Sequence, residues 1–158
     1  MWRDLTPNLE IVPLNLQLAA VVGLLALATL AGVVWKFTTG RSKRVADGIR
    51  IDLKELGAVK NGKPVTEFGE HTTFLQFSSE ACSTCKQTAK LFEQLEKTSH
   101  GVLHIEVDLT HRLDLAEKFG ILQTPTTLVL DSKGIVKSRI GGAPKPSTIE
   151  EEIGHFVI

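Results

Sequence analysis

The feature that most constrains this chain is an uncharged apolar stretch near its N-terminus. Residues 11–35 contain no charged side chain, and few strongly polar ones. About 20 apolar residues in helical conformation cross a bilayer, whereas a buried helix of a soluble domain is usually shorter. We therefore predict one transmembrane helix over 14–36, preceded by an extramembrane segment over 1–13. The lipid bilayer is the first expected partner.

A secretory signal peptide is the alternative interpretation of this stretch, because Ala26-Leu27-Ala28 is similar to a small-residue cleavage site. The alternative fits less well, since Arg3 is offset by Asp4 and Glu10 ahead of the apolar residues. Trp35, at the far end, suits an anchor at the level of the lipid headgroups. The pattern therefore favours a retained membrane helix.

A basic segment follows the helix, and we predict a linker over 37–47. Only Arg3 and the terminal amine precede the helix, whereas five basic residues follow it closely: Lys36, Arg41, Lys43, Arg44 and Arg50. Basic residues within about 15 to 20 positions of a membrane helix favour the cytoplasmic side. We therefore expect the remainder of the chain to face the cytoplasm, in a single-pass membrane protein.

Composition narrows the class of the remaining domain, predicted over 48–158. The chain has 18 basic and 18 acidic side chains and no net charge, which argues against nucleic acid as a partner. Two cysteines are too few for a small scaffold held together by disulfides. With 42% hydrophobic residues, the chain can bury a core.

The first half of the domain has the pattern of a strand, a helix and a second strand. Residues 72–77 form a short, nearly continuous apolar segment, typical of a central strand that is buried on both faces. Residues 82–99 repeat apolar positions at helical spacing, and 102–108 alternate as a strand does. This succession predicts a right-handed crossover between parallel strands.

The second half predicts a short helix over 113–119, a hairpin of strands 126–130 and 135–140, and a final helix from Ser147. The glutamates at 150–152 suit the positive N-terminal end of that helix. The expected fold is therefore an α/β domain with a mixed sheet, parallel first and antiparallel last.

The chemistry lies in Cys82-Ser-Thr-Cys85, where the first strong helix follows the first buried strand. Spacing of i and i+3 at a helix start lets the two sulfurs meet, and the helix dipole stabilises a thiolate on the first. Cys82 is then the attacking thiol and Cys85 the resolving thiol. No bound cofactor is expected, because the cysteine pair itself carries two electrons.

Two other interpretations of the cysteines stay open. A zinc site needs two more ligands, and the five histidines lack the paired spacing of such sites, so we expect no metal. An inert buried pair is the other interpretation. We expect His100, His104 and His155 at the surface, because His104 falls on the outward phase of its strand and the others lie near helix ends.

With these motifs in hand, the domain resembles the thioredoxin superfamily over roughly residues 51–156. The resemblance rests on the strand before the cysteines, the cysteine motif, Gly120-Ile-Leu-Gln-Thr-Pro125-Thr-Thr-Leu, Asp131-Ser-Lys-Gly134 and Gly141-Gly142. It implies that Pro125 is cis and faces the cysteines, and that the backbone of Thr124 binds substrate. Leu75-Gln-Phe-Ser-Ser and Gly142-Ala-Pro-Lys are similar to membrane-anchored bacterial members.

The chain departs from the family pattern at three places that would tune the reaction. Gln76 stands where the family has a buried, proton-relaying Asp, and Ala81 replaces a Trp before the motif. Ser-Thr separates the cysteines instead of Gly-Pro. Glu80 and Lys86 flank the cysteines with opposite charge, as solvated residues with a minor tuning effect on the thiolate.

The predicted function is membrane-tethered thiol-disulfide exchange that reduces protein or small-molecule disulfides. The expected partners are disulfide-containing substrates, a thiol electron donor and, as an option, another membrane protein. One alternative is a redox-inactive adaptor that uses the same fold, which the loss of the Asp and the Trp favours. The other is the same chemistry outside the membrane, maturing secreted or haem-carrying proteins.

Overall fold

The computed structural model describes residues 13–46 and 48–156. Its first unit is helix α1 (Leu14–Thr38), in which no residue is buried. Of the described helices, α1 is the one that is long and apolar enough to cross a membrane, although a signal sequence meets the same criteria. Its exposure separates it from a core helix of a soluble domain, whose apolar side chains would be covered. Most of the predicted extramembrane segment lies outside the described residues.

The second unit begins at Thr39. Its strands are β1 (Ser42–Arg44), β2 (Val59–Lys60), β3 (Lys63–Pro64), β4 (Thr72–Ser78), β5 (Val102–Asp108), β6 (Thr126–Asp131) and β7 (Val136–Gly141). Its helices are α2 (Leu53–Leu56), α3 (Ser83–Thr98), α4 (Leu113–Lys118) and α5 (Pro146–Phe156).

The main sheet has five strands in the order β1-β7-β6-β4-β5, and β2 and β3 form a separate hairpin. Strands β4 and β5 are parallel. The remaining pairs of the main sheet, β4 with β6, β6 with β7 and β1 with β7, are antiparallel. The predicted mixed sheet, parallel first and antiparallel last, is confirmed.

Strand β4 is buried along its whole length, so both faces of the sheet are covered. One face, which we call the apolar face, carries Leu75 and Phe77 against α2 and α4. The other, the mixed face, carries Phe74 against Phe92 of α3 and Ile149 of α5. The alternation of side chains along a strand separates the two sets.

Strand β1 lies within the segment predicted as a linker. Its Ser42 pairs with Ile140 and its Arg44 with Ser138, so this polar segment forms an edge of the sheet. Three polar residues are too few to show the alternation by which a strand is recognised from sequence. The folded unit therefore begins upstream of the predicted domain start.

Helix α3 matches its predicted extent and begins with a cysteine. Cys82 is its N-cap, with an extended backbone, and the Cys85 N–H donates to Cys82 Sγ over 3.1 Å. The apolar repeat packs Cys85, Ala89 and Phe92 against the sheet. The helix thereby fixes both cysteines at the carboxyl end of β4.

Candidate active site

The candidate site is the disulfide between Cys82 and Cys85, at the N-terminus of α3. The two cysteines differ in exposure, since Cys82 is half-buried and Cys85 is 1% exposed. The residues between them, Ser83 and Thr84, are exposed. A thiol or disulfide of another molecule can therefore approach Cys82 from solvent, whereas Cys85, at 1% exposed, is closed to partners of that size.

A second loop lies beside the cysteines. The Thr124-Pro125 peptide bond is cis. Thr124 is half-buried and Pro125 is buried. The Thr124 hydroxyl lies 3.3 Å from that of Ser79, which follows β4 directly. The structure thus brings together the loops that carry the predicted attacking thiol and the predicted substrate-binding residues.

Two further hydrogen bonds hold this second loop in place. The Thr126 hydroxyl donates to the Gln123 carbonyl oxygen over 2.7 Å. The Gly142 N–H donates to the Pro125 carbonyl oxygen over 2.8 Å. Gly142 has a φ of +81°, a conformation that glycine adopts without strain. The loop therefore has a defined position beside Ser79, three residues before Cys82.

Gln76 lies directly behind the resolving cysteine. It is fully buried, and its Nε2 donates to the Cys85 carbonyl oxygen over 3.0 Å. Its Oε1 lies 3.3 Å from His104 Nε2. Because Nε2 of Gln76 is committed to a carbonyl, Oε1 must be the acceptor, and His104 carries its proton on Nε2.

The surface position predicted for His104 is wrong, because His104 is only 4% exposed. Its ring stacks on Phe92 of α3, with centroids 5.3 Å apart. Burial, and then the positive charge of Lys60, lowers the pKa of His104 to about 4. His104 is therefore neutral near pH 7. The surface positions predicted for His100 and His155 are confirmed.

The error at His104 has a simple cause. Alternation along β5 identifies two faces, and the polar residues on one of them suggest a solvated face. Helix α3 covers that face at Val102 and His104 but not at Glu106. A strand that pairs in parallel inside an α/β sheet is commonly covered on both faces, so polarity alone did not identify the solvent side.

The remaining predicted tuning residues are at the surface. Ala81, Glu80 and Lys86 are all exposed beside the disulfide. No hydrogen bond or ion pair joins the Glu80 carboxylate or the Lys86 ammonium to another described residue. Both charges are therefore solvated, and their field at the cysteines is screened by water.

An open groove beside Cys85 was not foreseen. It lies between the C-terminal ends of β4 and β5, the start of α3 and strand β2. Its lining residues are Val59, Ser78, Ser79, Glu80, Cys85, Lys86, Glu106 and Asp108. The Ser78 hydroxyl donates to Glu106 Oε1 over 2.7 Å. Hydrogen bonds from Thr110, chiefly from its hydroxyl, hold the pKa of Asp108 below its usual range. The sequence alone could not predict this groove, because the groove depends on the register between β4 and β5.

A separate polar cluster lies at the opposite end of β4. Glu70, His71 and His100 offer ligand atoms within 4.8 Å of one another, and all three are exposed. Their spacing in sequence gave no sign of this, because the turn before β5 brings His100 to His71. The cluster is far along the strand from the disulfide and contributes nothing to the thiol site.

The chain is similar in sequence to known proteins. The sequence model of the family described as Thioredoxin matches residues 60–155. The chain is 29% identical to thioredoxin of Bacillus subtilis (strain 168) over 85 residues, which is 53% of this chain and 82% of that protein. It is 26% identical to thioredoxin of Streptomyces clavuligerus over 110 residues, which is 70% of this chain and 92% of that protein.

Among solved structures, the reduced thioredoxin pre-protein of Schistosoma mansoni aligns with a TM-score of 0.47 and 24% identity, over 56% of this chain and 82% of that chain. The family match spans the hairpin β2-β3, the sheet from β4 to β7 and nearly all of α5. It includes both cysteines and the Thr124-Pro125 loop. The chain is therefore a member of the thioredoxin family, with a Cys82–Cys85 pair at the start of its main helix.

Proposed function

We propose that the chain is a membrane-tethered thiol-disulfide oxidoreductase that reduces protein or small-molecule disulfides. The observation that carries this proposal is the asymmetric disulfide at the start of α3, with Cys82 accessible and Cys85 buried. In a pair of this kind, the accessible sulfur can react with a substrate disulfide, and the buried sulfur can then resolve the mixed disulfide. The similarity to thioredoxins supports the same chemistry.

In the proposed reaction, the Cys82 thiolate attacks one sulfur of the substrate disulfide, and the other substrate sulfur leaves as a thiolate that solvent protonates. Cys85 then attacks Cys82, which closes the protein disulfide and releases the second substrate thiol. The substrate gains two electrons and the cysteine pair loses them. The Cys85 N–H that donates to Cys82 Sγ, together with the helix N-terminus, would stabilise the attacking thiolate.

Thr124 and Pro125 are proposed to bind the substrate chain beside Cys82. The contact between the hydroxyl groups of Thr124 and Ser79 supports this role, because it places the loop next to the cysteine motif. Among the described residues, the Thr124 N–H donates to no backbone carbonyl. It is therefore available to an extended segment of a substrate.

We further propose that α1 anchors the domain in a membrane and that the domain faces the cytoplasm. The exposed apolar surface of α1 supports the anchor. The basic residues after it support the orientation, since such residues are retained on the cytoplasmic side. A cytoplasmic location would favour a reductase, because the thiol pool there is reducing.

Topology is testable through Cys82 itself, because it is the more exposed of the two cysteines. After mild reduction, a membrane-impermeant maleimide applied to intact cells should leave Cys82 unlabelled until the cells are lysed. Labelling without lysis would instead support the extracytoplasmic alternative, in which the same exchange serves secreted or haem-carrying proteins.

A redox-inactive adaptor is the second candidate, and the neutral Gln76 and the small Ala81 favour it. The two candidates differ in turnover. With dithiothreitol as electron donor, the purified chain should reduce insulin and a small aromatic disulfide faster than dithiothreitol alone. The Cys82→Ser variant serves as the matched control. A rate equal to that control would support the adaptor and contradict the oxidoreductase.

A further inference from the structure

The resolving step of the proposed reaction requires that the Cys85 thiol lose its proton, since the thiolate is the attacking species. The residue directly behind Cys85 cannot take that proton, because Gln76 is a neutral amide whose two polar atoms are already hydrogen-bonded. His104 presents a protonated nitrogen to Gln76 and is separated from Cys85 by that amide. The acceptor must therefore come from another direction.

The groove beside Cys85 supplies one. Gln76 and Glu106 are paired in the parallel register of β4 and β5, so their side chains leave the sheet on the same face. Adjacent strands lie about 4.8 Å apart, so the backbone position of Glu106 neighbours that of Gln76, whose amide contacts the Cys85 carbonyl. Glu106 and Cys85 both line the groove, and the groove is open to solvent.

Glu106 is also held in place. The Ser78 hydroxyl, two residues beyond Gln76 on β4, donates to Glu106 Oε1 over 2.7 Å. A hydrogen bond to an ionised acceptor is stronger than a neutral one and fixes its direction. One carboxylate oxygen is thereby anchored, and Oε2 has no hydrogen-bond partner among the described residues.

We propose that Glu106 accepts the proton of Cys85 in the resolving step, through water in the groove. This inference rests on the proposed function. A groove water takes the proton from Cys85 Sγ and passes one to Glu106, while Sγ attacks Cys82 Sγ. The bond from Cys82 to the substrate sulfur breaks, the Cys82–Cys85 bond forms, and the released substrate thiolate is later protonated by solvent.

Several other charged or titratable groups lie around Glu106. From β5, Asp108 and His104 share its face of the strand. Lys60 of β2 donates to the His104 carbonyl oxygen over 2.8 Å and pairs with Glu96 of α3. The remaining groups around it are Glu80, Lys86, Glu93 and Lys97. Positive and negative groups are therefore mixed around Glu106.

The test separates the two chemical steps by stopped flow. Reduced protein is mixed with excess of an aromatic disulfide whose thiolate product is coloured. The attack on the aromatic disulfide gives a phase that scales with its concentration, and the resolving step gives a phase that does not. In Glu106→Gln, we expect the concentration-independent phase to slow about a hundredfold, the lower end of the usual range for loss of a general base. The attack phase should change by less than about twofold.

The matched control is Asp108→Asn, which removes another carboxylate from the same groove. The Asp108 carboxylate accepts a hydrogen bond from the Thr110 hydroxyl. Asp108→Asn should leave both phases unchanged. Glutamine at 106 can still accept the Ser78 hydrogen bond, so the variant should keep its fold. Added acetate should accelerate the resolving phase of Glu106→Gln and not that of the wild type, a rescue that a purely structural role would not give.

Two outcomes would overturn the role of Glu106, and a third would overturn the proposed oxidoreductase function. Equal concentration-independent rates in wild type and Glu106→Gln would contradict it. A slowing in Glu106→Gln that Asp108→Asn reproduces, with no acetate rescue, would also contradict it, because the effect would then be one of overall charge. If the wild type shows neither phase, the oxidoreductase proposal itself fails.

Discussion

The two faces of the central sheet bury different kinds of side chain. On the apolar face, Leu75, Phe77, Ile105 and Leu128 pack among other hydrocarbons, together with two buried threonines, Thr73 and Thr126. On the mixed face, buried polar side chains lie among the apolar ones: Gln76, His104, Thr127, Ser138 and Glu152. Burying polar groups is costly unless they are hydrogen-bonded, so the buried amide, imidazole and carboxylate make the mixed face the candidate for chemistry. Here it is the face that carries the cysteines.

The largest effect that should distinguish the faces comes from the apolar one. Phe77 is fully buried, and its ring lies 5.5 Å from that of Phe119. We expect Phe77→Ala to lower the free energy of unfolding by about 3–5 kcal/mol, as is usual for a buried aromatic residue. The loss should be the same at pH 4.5 and pH 7, because Phe77 packs in a cluster of hydrophobic side chains. Denaturant unfolding measures it, and a pH-dependent loss would contradict the contrast between the faces.

The mixed face should respond to acid through His104. Its pKa is lowered to about 4 in the folded chain, against an ordinary value of 6.5. Between about pH 6.5 and pH 4, His104 binds a proton in the unfolded chain but not in the folded chain. Stability is therefore complete above about pH 6.5 and falls as the pH drops towards 4, by about 3 kcal/mol in all.

The matched variant for this prediction is His104→Gln, which cannot titrate and can still donate to Gln76. Denaturant unfolding from pH 7 to pH 4 should show a smaller loss of stability in the variant than in the wild type. The sign is fixed by the lowered pKa. An equal acid loss in both proteins would show that carboxylates elsewhere, and not His104, govern it.

The cysteine motif and the core of the fold could be predicted because their signals are local. The apolar segment before Cys82 and the helical spacing after it identify β4 and α3 directly. His104 could not be placed, since its burial depends on α3 covering the strand. Gln76 and Glu106 are neighbours because of the register of β4 against β5, and no local sequence pattern determines that register. Glu152, expected only to favour the helix N-terminus, is buried and accepts from Ser138 over 2.7 Å.

The smallest expected effect concerns proton removal at position 76. Gln76→Asp should speed the resolving step a few-fold near neutral pH, because a carboxylate would stand directly behind Cys85 beside the acceptor already proposed at Glu106. It should change the attack step less. The substitution should also lower stability by about 1–3 kcal/mol, since it breaks buried hydrogen bonds and buries a charge.

Gln76→Asn is the control, because it has the same shape as Asp and cannot accept a proton. It should share part of the stability loss and none of the rate gain. Stopped-flow decay of the mixed disulfide compares the two variants directly. Equal resolving rates in Asp and Asn variants would show that position 76 has no part in removing the proton.

The most direct test of the account is to trap each cysteine with substrate. If Cys82 attacks and Cys85 resolves, Cys85→Ser should accumulate mixed disulfides on Cys82 when given an oxidised protein substrate. Cys82→Ser should accumulate none, because the remaining thiol is buried. Mass spectrometry of the adducts identifies the linked cysteine. Adducts on Cys85 in Cys82→Ser, with none on Cys82 in Cys85→Ser, would contradict the assignment.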